Sequence, residues 1–341
     1  MADTMQATVF MGNGRLELQS RPIPTVQKRD EVLLRVKAAS ICGSDIQILN
    51  VPPGHPATVG VVLGHEYTGE VLAVGPDVRH VQPGDHVIPS PDLRCGYCFY
   101  CQRGLTHMCE NRTTLGIYLD GGFAPCNVAP ARALFKVSKS VPADVAAIGE
   151  PLMCALSGIS QVGVRPGDAV VVLGAGPLGL LFALLARMSG AGKVIVSEPA
   201  EGRRTRAAGL GIDLVVNPKE QDLKEVILGV TPRGADVVVD AVGSLFGQAI
   251  DVTRHAGKIL LFGVNSRAET TLRQFDLIDR QLTVFSSYIF ANEMSPTMIN
   301  VLESGALPLE RLITHRLPLD QIEEGIRLSR SGEAVKVIIH P

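Results

Sequence analysis

Apolar and polar residues follow two different patterns along this chain. Up to about residue 90 the apolar residues form short runs separated by glycine and proline, among them residues 32–38, 69–74 and 87–88. Such runs predict strands of a twisted, barrel-like β unit. Gly43 follows the first of these runs and is expected to turn the chain there.

A regular alternation of strands and helices begins after Gly167. Residues 169–173 form a continuous apolar run, which is typical of a strand buried on both faces, and an apolar helix over 178–188 follows. Further strands are predicted at 193–197, 214–216, 236–239, 259–263 and 282–290, and further helices at 223–228 and 246–253. The alternation predicts an α/β fold with a doubly wound parallel sheet.

The flanking segments complete the predicted domain organisation. Residues 142–160 have a helical pattern, and two amphipathic helices at 295–304 and 320–331 precede a closing strand at 335–339. An isolated terminal strand needs a partner sheet. We therefore expect a first domain at 1–150 with a lobe at 91–112, a second domain at 151–290, and a return of 291–341 to the first domain.

Length and charge narrow the classes of partner. The chain has 341 residues, which favours two domains, and a net charge of −2, which provides no field to hold nucleic acid or an anionic membrane. A small-molecule partner is expected. We find no secretion signal and no apolar run of about 18 residues, so a soluble cytoplasmic protein is predicted.

Four of the seven cysteines lie close together in sequence: Cys95, Cys98, Cys101 and Cys109. Two-residue gaps let neighbouring amides wrap one ion, and the fourth thiolate completes a tetrahedron with no open position. Two disulfides in this loop are the alternative, but such tight spacing would strain them and the cytosol would reduce them. The spacing predicts a structural zinc. Cys126 and Cys154 lie among apolar residues and are interpreted as packing residues.

A second set of candidate ligands lies in two short motifs. Cys42 opens Cys-Gly-Ser-Asp, and His65 and Glu66 end Gly-His-Glu. Thiolate, imidazole and carboxylate are the ligand types of a catalytic zinc, which keeps its fourth position open. The alternative is a buried small cysteine and an ordinary surface His–Glu pair. Glu150 precedes Pro151, which favours an extended backbone, and it is either a helix-start residue or a further ligand.

A glycine-rich motif follows the strand at 169–173. Gly174, Gly176 and Gly179 precede the predicted helix, and Glu198 lies 22 residues beyond Gly176. This is the dinucleotide-binding fingerprint, in which the glycines let the backbone approach a pyrophosphate at the helix N-terminus. Glu198 would accept hydrogen bonds from the ribose hydroxyls and repel the 2′-phosphate of NADP, so NAD is favoured.

Two basic residues leave the choice of cofactor open. Arg203 and Arg204 could pair with a 2′-phosphate, or they could simply lie on an exposed helix face. The other wall of the cofactor site is expected at the carboxyl ends of the later strands. The residues there are Val242, Gly243, Gly263, Val264, Ser286 and Ser287. An open zinc site and a nucleotide domain together indicate hydride transfer between an alcohol and a nicotinamide.

Taken together, these motifs resemble the zinc-dependent medium-chain alcohol dehydrogenases over essentially the whole chain. They are similar in particular to the sorbitol dehydrogenase and threonine 3-dehydrogenase branch. The resemblance implies a GroES-like catalytic domain, a Rossmann domain that binds NAD, two zinc ions per chain, and a homodimer or homotetramer. It implies Cys42 and His65 as zinc ligands, with Glu66 or Glu150 as the third ligand or as the residue that holds the metal-bound water.

The resemblance also implies roles for neighbouring residues. Ser44 would pass the substrate proton outward, and Asp45 would orient His65. Glu198 and Arg203 would contact the cofactor together with the nucleotide loop. The loop residues are Gly174, Gly176, Pro177, Leu178 and Gly179.

Two positions depart from the family pattern. Gln47 stands where many relatives have a relay histidine, so the proton is expected to leave through ribose hydroxyls, water or His55. Ile289 stands where sorbitol dehydrogenases have an arginine for polyol hydroxyls, which leaves room for a less polar alcohol or a sugar derivative. Glu150 before proline is similar to the polyol branch, whereas Glu198 between Ser and Pro is similar to the threonine branch.

The leading hypothesis is therefore NAD- and zinc-dependent oxidation of a secondary alcohol of a sugar, polyol or related type. Three alternatives remain. They are a carbonyl reductase that prefers NADPH, a threonine-3-dehydrogenase-like enzyme for amino alcohols, and a catalytically silent relative that keeps the fold for binding.

Overall fold

A computed structural model describes residues 3–290 and 292–341, which form two compact units. The first unit contains the described residues up to Pro151, from Asn292 to Gly305 and from Leu309 to Pro341. The second contains Leu152–Phe290 and Ala306–Pro308. No helix in the described ranges is long and apolar enough to cross a membrane.

The secondary-structure elements are numbered here in chain order. The strands are β1 Thr4–Phe10, β2 Leu16–Pro22, β3 Glu31–Ser40, β4 Glu66–Val74, β5 His86–Pro89, β6 Asp92–Leu93, β7 Thr113–Thr114, β8 Cys126–Pro130, β9 Leu134–Lys136, β10 Ala169–Leu173, β11 Lys193–Ser197, β12 Leu214–Val216, β13 Ala235–Asp240, β14 Thr253–Leu261, β15 Thr283–Ser286, β16 Ile313–Pro318 and β17 Lys336–His340. The α-helices are α1 Gly43–Ile48, α2 Ala143–Ala146, α3 Gly149–Val162, α4 Pro177–Met188, α5 Glu201–Gly209, α6 Leu223–Val230, α7 Phe246–Val252, α8 Gln274–Asp279, α9 Ser295–Ser304 and α10 Ile322–Ser331.

The second unit is built on a six-stranded parallel sheet. Its strand order is β12-β11-β10-β13-β14-β15, which is the order 3-2-1-4-5-6 of a doubly wound nucleotide-binding fold. Every residue of the central strand β10 is buried, because helices cover both faces of such a sheet. The predicted α/β fold with a doubly wound sheet is confirmed.

The first unit is built around the long strand β3. In the seven-stranded sheet β3 pairs antiparallel with β4 and β17, and β8 also pairs with it. Val32, Leu34 and Val36 alternate with more exposed residues, and this period of two places one face of β3 in the core. The C-terminal strand β17 meets the end of β3, where Ile338 pairs with Ser40 and Ile339 with Ala39.

Three local expectations are wrong. Gly43 does not turn the chain but begins α1, because the Asp45 carboxylate accepts a hydrogen bond from the Cys42 amide and caps the helix. The strand expected at 282–290 is only Thr283–Ser286, since its partner β14 ends at Leu261. Glu150 is helical rather than extended, because Pro151 lies in the first turn of α3, where a missing amide proton costs little.

Gly179 is expected to reject a side chain, because a Cβ there would lie 2.0 Å from the carbonyl oxygen of Gly174. We predict that Gly179→Ala lowers the free energy of unfolding by about 1–3 kcal/mol. Gly202 in α5 has open space around it, so Gly202→Ala is the matched control and should stabilise the helix by up to about 1 kcal/mol. Denaturant unfolding measures both, and an unchanged midpoint for Gly179→Ala would contradict the packing.

Candidate active site

The first candidate ligand, Cys42, is held at the start of a helix. It is the N-cap of α1, with φ −99° and ψ 159°, and it lies two residues beyond the end of β3. The Oδ2 atom of Asp45 accepts a hydrogen bond of 2.9 Å from the Cys42 amide. The aspartate three residues after the cysteine therefore fixes the local backbone that presents the thiol.

Sheet pairing brings the second motif to the first. Gly64 has φ +91°, which L side chains rarely adopt; His65 follows it, and the chain enters β4 at Glu66. In the β3–β4 register Glu66 lies opposite Ser40, two residues before Cys42. Two motifs more than 20 residues apart in sequence are thus adjacent because two antiparallel strands pair.

The three predicted ligands Cys42, His65 and Glu66 form a cluster. One donor atom from each lies within 4.8 Å of the others, and His65 and Glu66 are buried. Ser44 Oγ lies 3.2 Å from His65 Nε2, within hydrogen-bond distance. A partly buried thiol, a buried imidazole and a buried carboxylate that converge in this way have the donor set of a zinc site.

Asp45 lies close to the imidazole without bonding to it. Asp45 Oδ1 and His65 Nδ1 are 3.8 Å apart, which is too long for a hydrogen bond, and neither atom has another hydrogen-bond partner among the described residues. A buried carboxylate and a buried imidazole nitrogen left in this state are costly. The arrangement is more favourable when the imidazole carries positive charge or binds a cation.

The cluster concentrates opposing charges in a buried region. Burial, followed by the negative charge of Glu66, raises the pKa of the Cys42 thiol. Burial alone would lower the pKa of His65, but the Cys42 thiolate and the carboxylates of Asp45 and Glu150 raise it well above its usual value. The anionic groups around His65 therefore favour a positive charge at this place, as a divalent cation would supply.

Glu150 lies in the first turn of α3 and is also buried. Burial raises its pKa to about 7, against the opposing effect of His65, and Glu66 and Asp92 add to the increase. The group of donor atoms within 4.8 Å of one another contains Glu66 and does not include Glu150 in the described part of the chain. Glu66 therefore has the better geometry for the third ligand.

The four clustered cysteines form a second potential metal centre. Donor atoms of Cys95, Cys98, Cys101 and Cys109 all lie within 4.8 Å of one another, and each cysteine is free of a disulfide. Burial would raise the pKa of the Cys95 thiol, but the amides of Tyr97 and Cys98 donate to its sulfur and lower the value to about 6. Amides that point at sulfur stabilise thiolates, the form that binds zinc.

The glycine loop joins β10 to α4 in the second unit. Gly174 has φ +99°, Gly176 is the N-cap of α4 and Pro177 begins the helix, so the free amides of the first turn are available to an anion. Leu178 and Gly179 complete this first turn. The structure therefore places the predicted loop where a pyrophosphate binds in this type of fold.

Glu198 is buried after the end of β11, next to this loop. Its Oε2 accepts a hydrogen bond of 2.8 Å from the Ala175 amide, and its Oε1 accepts one of 2.8 Å from the Ala200 amide. Each carboxylate oxygen has two lone pairs, so acceptor capacity remains for ribose hydroxyls. Arg204 donates to the carbonyl oxygens of Glu198 and Pro199, and Arg203 is partly buried nearby in α5.

The residues predicted to form the other wall of the cofactor site, here called the far wall, lie where parallel strands end on the same edge of the sheet. Asp240, which the sequence analysis missed, shapes it: its carboxylate accepts hydrogen bonds from the amides of Val242, Gly243 and Leu245. The sequence signal that could have identified Asp240 is an acidic residue between an apolar strand and a glycine. Gly243 and Gly263 pack backbone to backbone, while Val242 and Val264 are exposed. Ser286 ends β15, and Ser287 is buried beside it.

Two sequence profiles match the chain. The alcohol dehydrogenase GroES-like domain matches residues 28–139, and the zinc-binding dehydrogenase domain matches residues 177–304. L-threonine 3-dehydrogenase from Pyrococcus horikoshii is 36% identical over 317 residues, which is 90% of each chain. This chain belongs to the zinc-dependent medium-chain alcohol dehydrogenase family. The family predicted from the motifs is confirmed.

Solved structures agree with this assignment. A protein from Sinorhizobium meliloti, described as a zinc-binding dehydrogenase and bound to NADP, has a TM-score of 0.94 and 32% identity, covering 99% of this chain and 100% of its own. An alcohol dehydrogenase from Escherichia coli in complex with NADH has a TM-score of 0.91 and 28% identity, with 99% of each chain covered. This chain is therefore a dehydrogenase of the alcohol and polyol type that uses zinc and a nicotinamide cofactor.

The structure also places the residues at which the sequence departs from the family. In this dehydrogenase Gln47 Oε1 accepts a long hydrogen bond of 3.4 Å from Asn50, and His55 Nδ1 lies 2.7 Å from the carbonyl oxygen of Pro56. Burial lowers the pKa of His55. Ile289 is partly buried, beside the fully buried Phe290. Cys126 is partly exposed and Cys154 is buried, and neither belongs to a cluster of candidate ligands among the residues that the structure describes.

The four-cysteine lobe of this dehydrogenase is expected to depend on metal for its fold, because a saturated zinc site stabilises the loops that it joins. Cys98→Ser should lower the bound zinc by about one ion per chain and reduce the thermal midpoint. Cys126→Ser, outside both clusters, is the matched control and should change neither quantity. Metal analysis of dialysed protein and thermal unfolding measure the two effects; full zinc content in Cys98→Ser would refute the site.

Proposed function

We propose that this dehydrogenase oxidises a secondary alcohol of a sugar, polyol or related type to a ketone by transferring hydride to NAD⁺ and releasing a proton. The observation that carries the proposal is the cluster of Cys42, His65 and Glu66, whose donor atoms lie within 4.8 Å of one another. The same chain carries a complete dinucleotide fingerprint at Gly174 to Gly179, with Glu198 beside it.

The ligand assignment follows from this geometry. Cys42, His65 and Glu66 hold the catalytic zinc, and Cys95, Cys98, Cys101 and Cys109 hold a structural zinc, which gives two ions per chain. A zinc ion at the first site supplies a Lewis acid that lowers the pKa of an alcohol and polarises a carbonyl. The second site has no free position and contributes to folding only.

The protein's own residues handle the proton. Ser44 Oγ lies 3.2 Å from His65 Nε2, so its hydroxyl is next to the reacting centre and can accept the proton of an alcohol while it donates its own. Asp45 Oδ1 lies 3.8 Å from His65 Nδ1, so its negative charge favours the orientation in which His65 Nε2 faces the zinc. Gln47 cannot titrate, so the further route to solvent runs through water, the ribose hydroxyls or His55, which is partly exposed.

NAD is the proposed cofactor because a carboxylate lies beside the nucleotide loop. Glu198 keeps free lone pairs for the ribose hydroxyls, and its negative charge opposes a 2′-phosphate. The cofactor residues are those of the glycine loop, the far wall, Glu198 and Arg203. The runner-up is an NADPH-dependent carbonyl reductase, which is supported by the basic pair Arg203 and Arg204 and by the NADP-bound relative.

A second substrate class has support from a specific comparison. The relative from Pyrococcus horikoshii is named L-threonine 3-dehydrogenase and covers 90% of this chain. A β-hydroxy amino acid contains a secondary alcohol, so the same cluster of Cys42, His65 and Glu66 suits it chemically. We keep this as the alternative to a sugar or polyol substrate.

The deciding experiment is a screen of NAD⁺ and NADP⁺ reduction over sugar alcohols, aldoses, hydroxy amino acids and simple diols. We expect turnover of a secondary alcohol with NAD⁺, and we expect chelation of the metal to abolish it.

Cys42→Ala should lower kcat/KM by at least about a hundredfold, because loss of a ligand costs no less than loss of the groups that support ligands. Cys126→Ala is the matched control. Higher kcat/KM with NADP⁺ would reverse the cofactor assignment, and metal-independent turnover would refute the mechanism.

We also propose a cytoplasmic location, because the seven cysteines are free thiols and a reducing compartment keeps them available to zinc.

We further propose that the protein forms a homodimer or homotetramer through the second unit. There β15 is an edge strand whose outer side pairs with no strand of residues 3–290 or 292–341, and Phe275, Ile278 and Tyr288 around it are apolar and exposed. Such edges and patches are typical of surfaces that another chain covers.

The oligomer is tested by size-exclusion chromatography with light scattering at micromolar concentration. The wild type should have the mass of two or four chains, and Phe275→Asp should shift the mass toward that of one chain, because a charge on the contact surface is costly to bury. Leu228→Asp, which changes an exposed leucine in α6, is the matched control and should leave the mass unchanged. A monomeric wild type would refute the proposal.

A further inference from the structure

Lys336 lies beside the candidate cation site, although no sequence motif marks it. It is the first residue of β17 and only 2% of it is exposed. Its Nζ atom donates a hydrogen bond to Glu66 Oε2, with which it forms an ion pair, and another of 3.2 Å to the carbonyl oxygen of Ile41. Ile41 directly precedes Cys42, so one ammonium group contacts Glu66 and the segment that carries Cys42.

Ser40 makes a second contact with the same carboxylate oxygen. The Ser40 hydroxyl donates to Glu66 Oε2, and both side chains are buried. The strand order explains the convergence, because β3 with Ser40 lies between β4 with Glu66 and β17 with Lys336. Since both donors engage Oε2, they hold the carboxylate in one orientation without occupying Oε1.

A lysine at this place needs a reason beyond packing. Full burial of an ammonium group is costly, and an apolar residue of similar size often stabilises a core as well or better. The neighbouring candidate ligands Cys42 and Glu66 both carry negative charge when they bind a cation. Together with Glu150 they raise the pKa of Lys336 and so favour its charged form, although burial alone would lower that pKa. Lys336 thus places a fixed positive charge beside a group of anionic side chains.

We propose that Lys336 is a positioning residue of the catalytic metal site, which acts through Glu66. It fixes the Glu66 carboxylate so that this group, Cys42 and His65 are arranged for one divalent cation before the cation arrives. The inference rests on the proposed function of the Cys42, His65 and Glu66 cluster. It adds that the C-terminal strand, more than 260 residues away in sequence, controls how tightly that cluster holds its ion.

The test is zinc affinity, measured on the full-length protein by competition with a chromophoric chelator. Zinc transfer to the chelator is expected in two phases, one from each metal site. The phase that is absent in Cys42→Ala belongs to the catalytic site, and the other phase, from the four-cysteine lobe, serves as an internal reference. Lys336→Met, which keeps the length of the side chain and removes its charge, should weaken the catalytic phase by about 10–100-fold, as the loss of a residue supporting a ligand does. The lobe phase should not change.

Two further variants separate positioning from a structural role. Lys336→Arg, which keeps the charge, should restore affinity to within a few-fold of the wild type. In a Glu66→Gln background Lys336→Met should cause little further loss, because Lys336 acts through that carboxylate. Val337→Ala is the matched control: it removes buried apolar atoms from the same strand and should leave zinc affinity unchanged.

The outcomes distinguish the inference from the function on which it rests. If the wild type has no zinc phase that Cys42→Ala removes, the proposed function fails. If that phase exists but Lys336→Met equals the wild type, or loses affinity equally with and without Glu66, the inference alone is overturned. If Lys336→Met does not fold, Lys336→Gln takes its place in the same comparison with the same expected weakening.

Discussion

The antiparallel pairing of β3 with β4 is the constraint on which the active site depends. Its register sets Ser40 opposite Glu66. The candidate ligands lie within two residues of this pair, because Cys42 comes two residues after Ser40 and His65 directly precedes Glu66. A shift of one residue would send every side chain of β4 to the other face of the sheet. The apolar core under β3, which fixes this register, therefore determines the positions of the candidate ligands as well as the fold.

Buried charge is the second organising feature of the first unit. His65, Glu66, Asp45, Glu150 and Lys336 are all buried, although charged side chains are rarely buried without partners. These groups compensate one another incompletely, because Asp45 Oδ1 and His65 Nδ1 are 3.8 Å apart, which is too long for a hydrogen bond. The divalent cation that we propose for this site would complete the balance.

Much of this arrangement could be predicted from sequence, and the misses have physical causes. Strand β10, helix α4 and the cysteine spacing are local patterns, so the doubly wound sheet and the candidate lobe ligands followed from residues near one another. Lys336 and Asp240 were missed because their roles come from strand order and from backbone amides, which periodicity does not reveal. Gly43 was misjudged because a cap by Asp45 outweighed the tendency of glycine to end a segment.

The bonds from Glu198 to the amides of Ala175 and Ala200 have an effect on how the dinucleotide is captured. They brace the glycine turn against the end of β11 through contacts within the protein itself. Ordering a loose loop consumes part of the interaction energy of any ligand, and a braced loop spares that loss. A pyrophosphate bound at this loop, as we propose, would therefore cost little conformational entropy.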